Sequence, residues 1–189
     1  MGALTREMVV KKLGKGESME GLDLTEVDLS YCNLKNANLE KANLSGAHFQ
    51  NANLEGANLK GANLENAFFF GANLKGANLE GARFERTNLQ DTNLEAVKLK
   101  NTDLKQVSLF GAQLDKANLE GACLSGARLK RASLVGANLK NADLEGAFLQ
   151  RAVLNKADLS NANLKNANLS NTQMDGATLD GAKMDGSKR

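Results

Sequence analysis

A single histidine, His48, and two cysteines, Cys32 and Cys123, are the residues of this chain best suited to nucleophilic or metal chemistry, and their spacing defeats both uses. A serine or cysteine nucleophile needs a base within hydrogen-bond reach, and a zinc site needs about four nitrogen or sulfur ligands. There is no CxxC pair, no second histidine, and Cys123 lies far along the chain from His48. Aspartate and glutamate total 22, but lysine and arginine total 24 and the two signs alternate at regular intervals. That pattern suits solvated charge ladders better than acid–base pairs. The glycines also keep a fixed beat, so none forms a phosphate-cradling loop. The expectation is a chain with no catalytic site, no metal and no cofactor.

The elements that would position such residues are set by one internal repeat. From Leu24 to Met184, every fifth residue is large and apolar: 28 Leu, three Phe (Phe49, Phe69, Phe84) and two Met (Met174, Met184) fill 33 positions without an insertion or deletion. Calling this position i, the residue at i−2 is Ala in 24 of the 33 units, i−1 is Asn or Asp in 19, i+1 is mostly charged or polar, and i+2 holds 14 of the 18 glycines. A period of five fits neither a helix at 3.6 nor a strand at 2. It fits a coil that turns a corner every five residues, with i and i−2 inward and Gly or Asn at i+2 making the corner. The complete absence of proline suits it, since proline would remove a backbone donor between turns.

Charge gives the number of sides. Residues one turn apart would sit about 4.8 Å from each other, where opposite signs attract. Among charged i+1 positions, an offset of 20 residues gives 11 opposite-sign and two like-sign pairs, against six and four at 15 and three and eight at 25. The column Glu40, Lys60, Glu80, Lys100, Glu120, Lys140 is the cleanest. Four sides per turn are therefore predicted, giving about eight turns and a rod of roughly 40 Å. Phe49 should then stack on Phe69, and Cys32 and Cys123 should lie roughly 20 Å apart, beyond disulfide reach.

The units AHFQN, ANLEG, ANLKG, ADLEG and ADLSN resemble the A(D/N)LXX signature of the pentapeptide-repeat family across residues 22–186. The resemblance implies an all-β, right-handed quadrilateral β-helix; its handedness is implied by the family and not by the spacing. Thr87, Thr92, Val97, Thr102 and Val107 depart from the signature, five successive i−2 residues larger than Ala, and a locally wider coil is expected there.

Residues 1–21 are expected to form an N-terminal segment, 22–186 the β-helix and 187–189 a tail. In the first of these, Arg6 to Leu13 should make a short helical cap with Thr5 as N-cap, Gly14 as stop, and Met8, Val9 and Leu13 over the first coil. Lys11, Lys12 and Lys15 read as a solvated face of that cap and not as a nucleic-acid patch. No comparable cap follows Met184, so Leu179 and Met184 are candidates for an end-to-end homodimer contact. The segment MGALTREMVVKKLGKGE lacks the apolar run of a secretory signal, and no stretch approaches the ~18 apolar residues of a membrane span. With two cysteines that suggest no disulfide framework, a cytoplasmic location without membrane contact is expected.

Function, on this reading, lies in the outward residues. The side built on Leu29, Phe49, Phe69, Leu89, Leu109, Leu129, Leu149 and Leu169, called side two below, carries Phe68 and Phe148 at i−1, Phe70 and Phe110 at i+1 and Tyr31 at i+2. The same side holds Arg128, Lys130, Arg131 and Arg151 against Asp28 and Asp91. Aromatic rings beside arginine are the composition of interaction hot spots, whereas rings packed along the coil surface would be the plainer account. Tyr31, Phe68, Phe70, Phe110, Phe148, Arg128 and Arg151 are thus the candidate surface for an unidentified protein partner.

Some pentapeptide-repeat proteins mimic DNA and modulate type II topoisomerases such as gyrase. Side one, built on Leu24 and every twentieth residue after it, carries a net charge of −3, and sides three and four are neutral, too weak for an acidic rod. No side has the continuous basic stripe that nucleic acid requires. A non-catalytic interaction scaffold is the reading that remains, with topoisomerase modulation or service as the repeat module of a larger adaptor as alternatives.

Overall fold

The structure, a computed structural model, describes residues 4–188. Among the described residues one helix, α1 (Arg6–Gly14), precedes a coil in which, with one exception, the residue at i−1 bridges in parallel to the residue 20 positions on, as in Asn53↔Asn73 and Phe148↔Asn168. Four units of five complete a turn. The expected all-β character is reduced to single-residue bridges, because a side of five residues spends most of its length entering and leaving corners.

One unit shows the economy of the backbone. Leu54 N donates to Asn73 O of the next turn at 2.7 Å, Asn73 N donates back to Ala52 O at 2.9 Å, and Ala57 N closes the corner on Leu54 O at 3.0 Å. That corner has the left-handed residue of a type II turn at its third position. Every i+2 residue from Glu26 to Gly186 has positive φ, and 19 of these 33 are not glycine. Residues such as Tyr31, with φ 61°, accept a conformation that ordinarily costs about 1–2 kcal/mol because the next turn holds them, Tyr31 N donating to Gln50 O at 2.9 Å. Where a corner stacks on Asn, glycine also leaves room for the amide: a Cβ on Gly56 would displace Asn36 Oδ1 of the preceding turn.

The inward columns are as expected from Leu24 to Leu169, all but fully buried. Met174, Leu179 and Met184, in the final turn, are only partly buried. Met19 joins the same column, wholly buried and donating its N–H to Asn38 O, so the coil's geometry extends one unit before Leu24.

The Asn and Asp at i−1 have a role that spacing alone left unread. Asn53 Oδ1 accepts the N–H of Glu55 in its own turn, while its Nδ2 donates to Asn33 Oδ1 one turn back at 3.3 Å. The column continues with Asn73 donating to Asn53 at 3.2 Å. This amide ladder fixes register more regularly than the charge ladder. In the column Glu40 to Lys140, only Lys100–Glu120 closes as an ion pair one turn apart, at 3.0 Å. Glu40 instead meets Lys41 at 3.3 Å and accepts from Asn58, and Lys140 meets Asp158 at 3.1 Å. Carboxylates reach nearer donors at i−1 and i+2 as easily as the lysine one turn away. The 20-residue pairing does appear in Lys35–Glu55, Lys75–Glu95 and Lys165–Asp185.

Among the described residues the ladder is interrupted once within the coil, on side one. Bridges join Asn63 to Arg83 and Asp103 to Cys123, but none joins Arg83 to Asp103; the cross-turn bonds due from Phe84 N and Asp103 N are missing, as are those from the neighbouring Gly81 N, Arg86 N and Ser108 N. The opening falls at the start of the run of large i−2 residues, between the turn in which Phe84 fills the inward column and the turn in which Thr102 fills the i−2 column, both buried. Thr87 and Thr92 donate their buried hydroxyls to the carbonyls of Leu64 and Phe69 in the preceding turn. Thr102, facing the opening, turns its hydroxyl to Lys100 O of its own turn.

At the start of the coil, Thr5 caps α1 by accepting from Met8 N at 3.4 Å, as expected, and the helix takes in Gly14 before the first left-handed residue, Gly16. Val9 is fully buried and Leu13 partly so, but Met8 is 53% exposed, contrary to expectation. One step of 100° from Val9 carries Met8 off the face that meets the coil. Lys12 and Lys15 pair with Glu17, which holds the Glu17 carboxyl below its ordinary range, chiefly through the Lys12 hydrogen bond.

Candidate functional site

Side two presents its outward residues at single-turn intervals, because each i−1 and i+1 position repeats every 20 residues in the bridge pattern. Phe68 and Phe70 flank the inward Phe69 and are 40% and 47% exposed, and Phe148 is 46% exposed. Phe68 is backed by His48 from the preceding turn, ring centroids 4.9 Å apart. Phe110 departs from the expected exposure. It is half-buried, with the Arg131 guanidinium carbon 5.8 Å from the ring centroid and Gln90 and Lys130 in the turns before and after. Arginine over a ring face is a favourable cation–π arrangement, so Phe110 is partly covered by its own chain.

Around Phe110 the side is hollowed into a shallow groove lined by Gln90, Ser108, Phe110, Arg128, Lys130, Phe148 and Gln150. Small Ser108 lies between Asn88 and the long Arg128 in the bridge order, which leaves room beside the two rings. Gln150, which lines this groove, has a buried Oε1 with no hydrogen-bond partner. Among the described residues, Arg128, Lys130, Arg131 and Arg151 enter no ion pair.

Of the candidate surface residues, Phe110, Phe148 and Arg128 meet in the groove, and Phe70 stands one turn before Gln90 at its edge. Arg151 sits at the adjoining corner, with φ 60°, outside the groove lining. Tyr31 is 76% exposed but stands apart, beside α1, in a hollow shared with Arg6, Val10 and Leu13. Arg6 of α1 also donates to Asp28 O at 3.0 Å, tying the cap to the first turn of side two. The Asp28 carboxyl is held below its ordinary range by Ser30, first through its backbone N–H and then its hydroxyl, with Arg6 adding to the effect. His48, Gln90, Ser108 and Gln150 were not singled out in the sequence; the signal that could have found them is membership of the same 20-residue columns as the phenylalanines.

Cys32 is buried and inward at i−2, and both cysteines are free thiols. Cys123 faces outward between Asp103 and Asp143 in the bridge order, with Sγ 3.7 Å from Asp143 Oδ2. Its thiol is pushed above the ordinary range, first by burial and then by Asp143 and Asp103. A protonated thiol is a poor nucleophile, and among the described residues no cluster suits a metal ion. No helix of the described residues is long and apolar enough to cross a membrane. On side one, Glu65 pairs with Arg83, Glu85 with Arg86 at 3.2 Å and Asp103 with Lys105 at 3.6 Å, so its acidic groups are locally neutralised.

Comparison with known proteins agrees with this architecture. Among curated proteins, none matches the chain in sequence. Among solved structures, a trypsin-treated form of QnrB1, a plasmid-mediated fluoroquinolone resistance protein, is 18% identical with a TM-score of 0.60, the match covering 86% of this chain and 84% of that one. HetL, a pentapeptide repeat protein involved in heterocyst differentiation regulation from the cyanobacterium Nostoc sp. strain PCC 7120, is 27% identical over 98% of this chain and 94% of its own, with a TM-score of 0.33. A pentapeptide repeat protein of the cyanobacterium Cyanothece 51142 is 22% identical over 93% and 97%, with a TM-score of 0.25. The sequence model of pentapeptide repeats, which describes a repeat and not a catalytic domain, matches in eight overlapping copies that together run from residue 23 to residue 188, and the chain belongs to the pentapeptide-repeat family.

Proposed function

We propose that this protein is a non-catalytic scaffold that binds another protein through side two of its coil, wound right-handed as its family implies. The observation that carries the reading is the grouping of Phe68, Phe70 and Phe148, each at least 40% exposed, with four unpaired cations on one side of the rod. Exposed rings of this size are costly to keep in water, and arginine with aromatic residues is the common chemistry of binding anchors. The scaffold works in the cytoplasm, where the free thiols of Cys32 and Cys123 stay reduced. Its partly buried final turn, with Leu179 and Met184, is the place for end-to-end pairing of two copies.

Affinity capture with the wild-type protein and with a Phe68→Ser, Phe70→Ser, Phe148→Ser variant, with partners identified by mass spectrometry, tests this. A partner retained by the wild type and lost from the variant supports the reading. Equal capture by both, with the fold intact, contradicts it. A side-one variant, Glu65→Ser with Glu85→Ser, is the matched control: dependence on those residues would instead favour a DNA-mimicking role towards a topoisomerase.

A further inference from the structure

We propose that the groove on side two takes an acidic peptide segment lying along the rod, its carboxylates on Arg128 and Lys130 and its backbone N–H on Gln150; this deepens, and rests on, the reading of side two as the partner surface. Elsewhere on the coil, four of the lysines at i+1, Lys35, Lys75, Lys100 and Lys165, pair with a carboxylate one turn away. In the columns through the groove that carboxylate is missing. The residues one turn before and after Lys130 are Phe110 and Gln150, and those on either side of Arg128 are Ser108 and Phe148. The coil therefore supplies two cations and withholds their counter-charge, and a partner with carboxylates completes the columns.

Charge alone would admit any anion, but two further features select a peptide. Gln150 Oε1 is buried at the groove without a donor, and a buried acceptor left unpaired costs free energy that an incoming N–H recovers. A phosphodiester group, in a nucleic-acid backbone or a lipid headgroup, carries no such donor. The rings of Phe110 and Phe148 add apolar walls that suit aliphatic side chains between the carboxylates. Length is set by the turns: Phe70 and Gln150 are four turns apart, about 19 Å, which about six extended residues span. A longer polyanion that runs on past Phe70 towards α1 meets Asp28 on the same side and finds no lysine or arginine there.

The test is selection of random hexapeptides displayed on phage against the whole protein, followed by fluorescence-polarisation titration of the enriched peptides made synthetically. The expected peptides are richer in Asp and Glu than the starting library. They lose about tenfold in affinity to an Arg128→Gln, Lys130→Gln variant whose melting temperature matches the wild type, and they weaken again with Gln150→Leu. Failure to enrich any peptide, enrichment of neutral or basic ones, or displacement by oligothymidylate or phosphatidylserine vesicles in preference to acidic peptide overturns the proposal. Peptides sensitive to Phe70→Ser and Phe148→Ser but indifferent to the charge variant would remove the acidic ligand and leave side two as a partner surface. Indifference to both sets of substitutions would remove both.

Discussion

The rings of Phe49 and Phe69 lie 4.7 Å apart and within 10° of parallel, one turn of the coil from each other and both fully buried. They follow directly from the 20-residue period and sit beneath the part of side two that displays Phe68 and Phe70. Phe69→Ala should cost about 3–5 kcal/mol by leaving a ring-sized cavity, whereas Phe69→Leu should cost less because leucine is the residue the column ordinarily holds. In a double-mutant cycle to leucine the two rings should show coupling of about 0.5–1.5 kcal/mol. Urea unfolding measures both; additive single substitutions would mean the stacking contributes nothing beyond burial.

Backbone exchange should find the opening on side one. The amides of Phe84 and Asp103 lack the cross-turn bonds that Leu64 N makes to Arg83 O at 2.9 Å and Cys123 N makes to Thr102 O at 3.0 Å. Hydrogen–deuterium exchange followed by NMR should show Phe84 and Asp103 exchanging well ahead of Leu64 and Cys123. Uniform protection through these four positions would mean the ladder is closed in solution.

The period, the inward columns and the cap were legible in the sequence because each rests on a strict choice of residue type: Leu at i, Ala at i−2, Thr5 before the helix. What sequence left unread depends on competition between neighbours. Glu40 could pair with Lys60 or with Lys41, and only packing decides for Lys41 and Asn58. The large i−2 residues from Thr87 to Val107 marked an irregularity, but that the bridge between Arg83 and Asp103 is the one lost depends on how whole turns pack. Phe110 carried an outward position yet is half-buried, because Arg131 at the corner folds over its ring.

Acid should destabilise the coil through its i−1 aspartates. Asp158 is held below its ordinary carboxylate range first by the Ser160 hydroxyl, then by the Ser160 backbone N–H and by Lys140. A carboxyl whose folded value lies below its unfolded one contributes stability that is complete above the unfolded value and is lost as pH falls through the folded one. Melting temperature should therefore fall as pH drops from about 5 towards 2, and Asp158→Asn should flatten that dependence. An unchanged pH profile in Asp158→Asn would show that Asp158 titrates alike in both states.

Cys123 should alkylate slowly near neutral pH. Burial first, and the charges of Asp143 and Asp103 after it, raise its thiol above the usual range, so iodoacetamide labelling should rise with pH through a midpoint above that of an ordinary thiol. Asp143→Asn should lower that midpoint by removing one of the two charges. A midpoint at or below the ordinary thiol value in the folded protein would show that the local field is different from the one described.

The central claim is that side two is the surface through which this coil binds. Isothermal titration of the captured partner into wild-type protein and into a Phe70→Ser, Phe148→Ser variant tests it most directly, since both rings are nearly half exposed and their removal should shift stability by no more than about 0.5 kcal/mol each. The account predicts a loss of about 1 kcal/mol or more per ring, about fivefold or more in affinity for each, with the melting temperature preserved. Unchanged affinity in a variant that remains folded would contradict it.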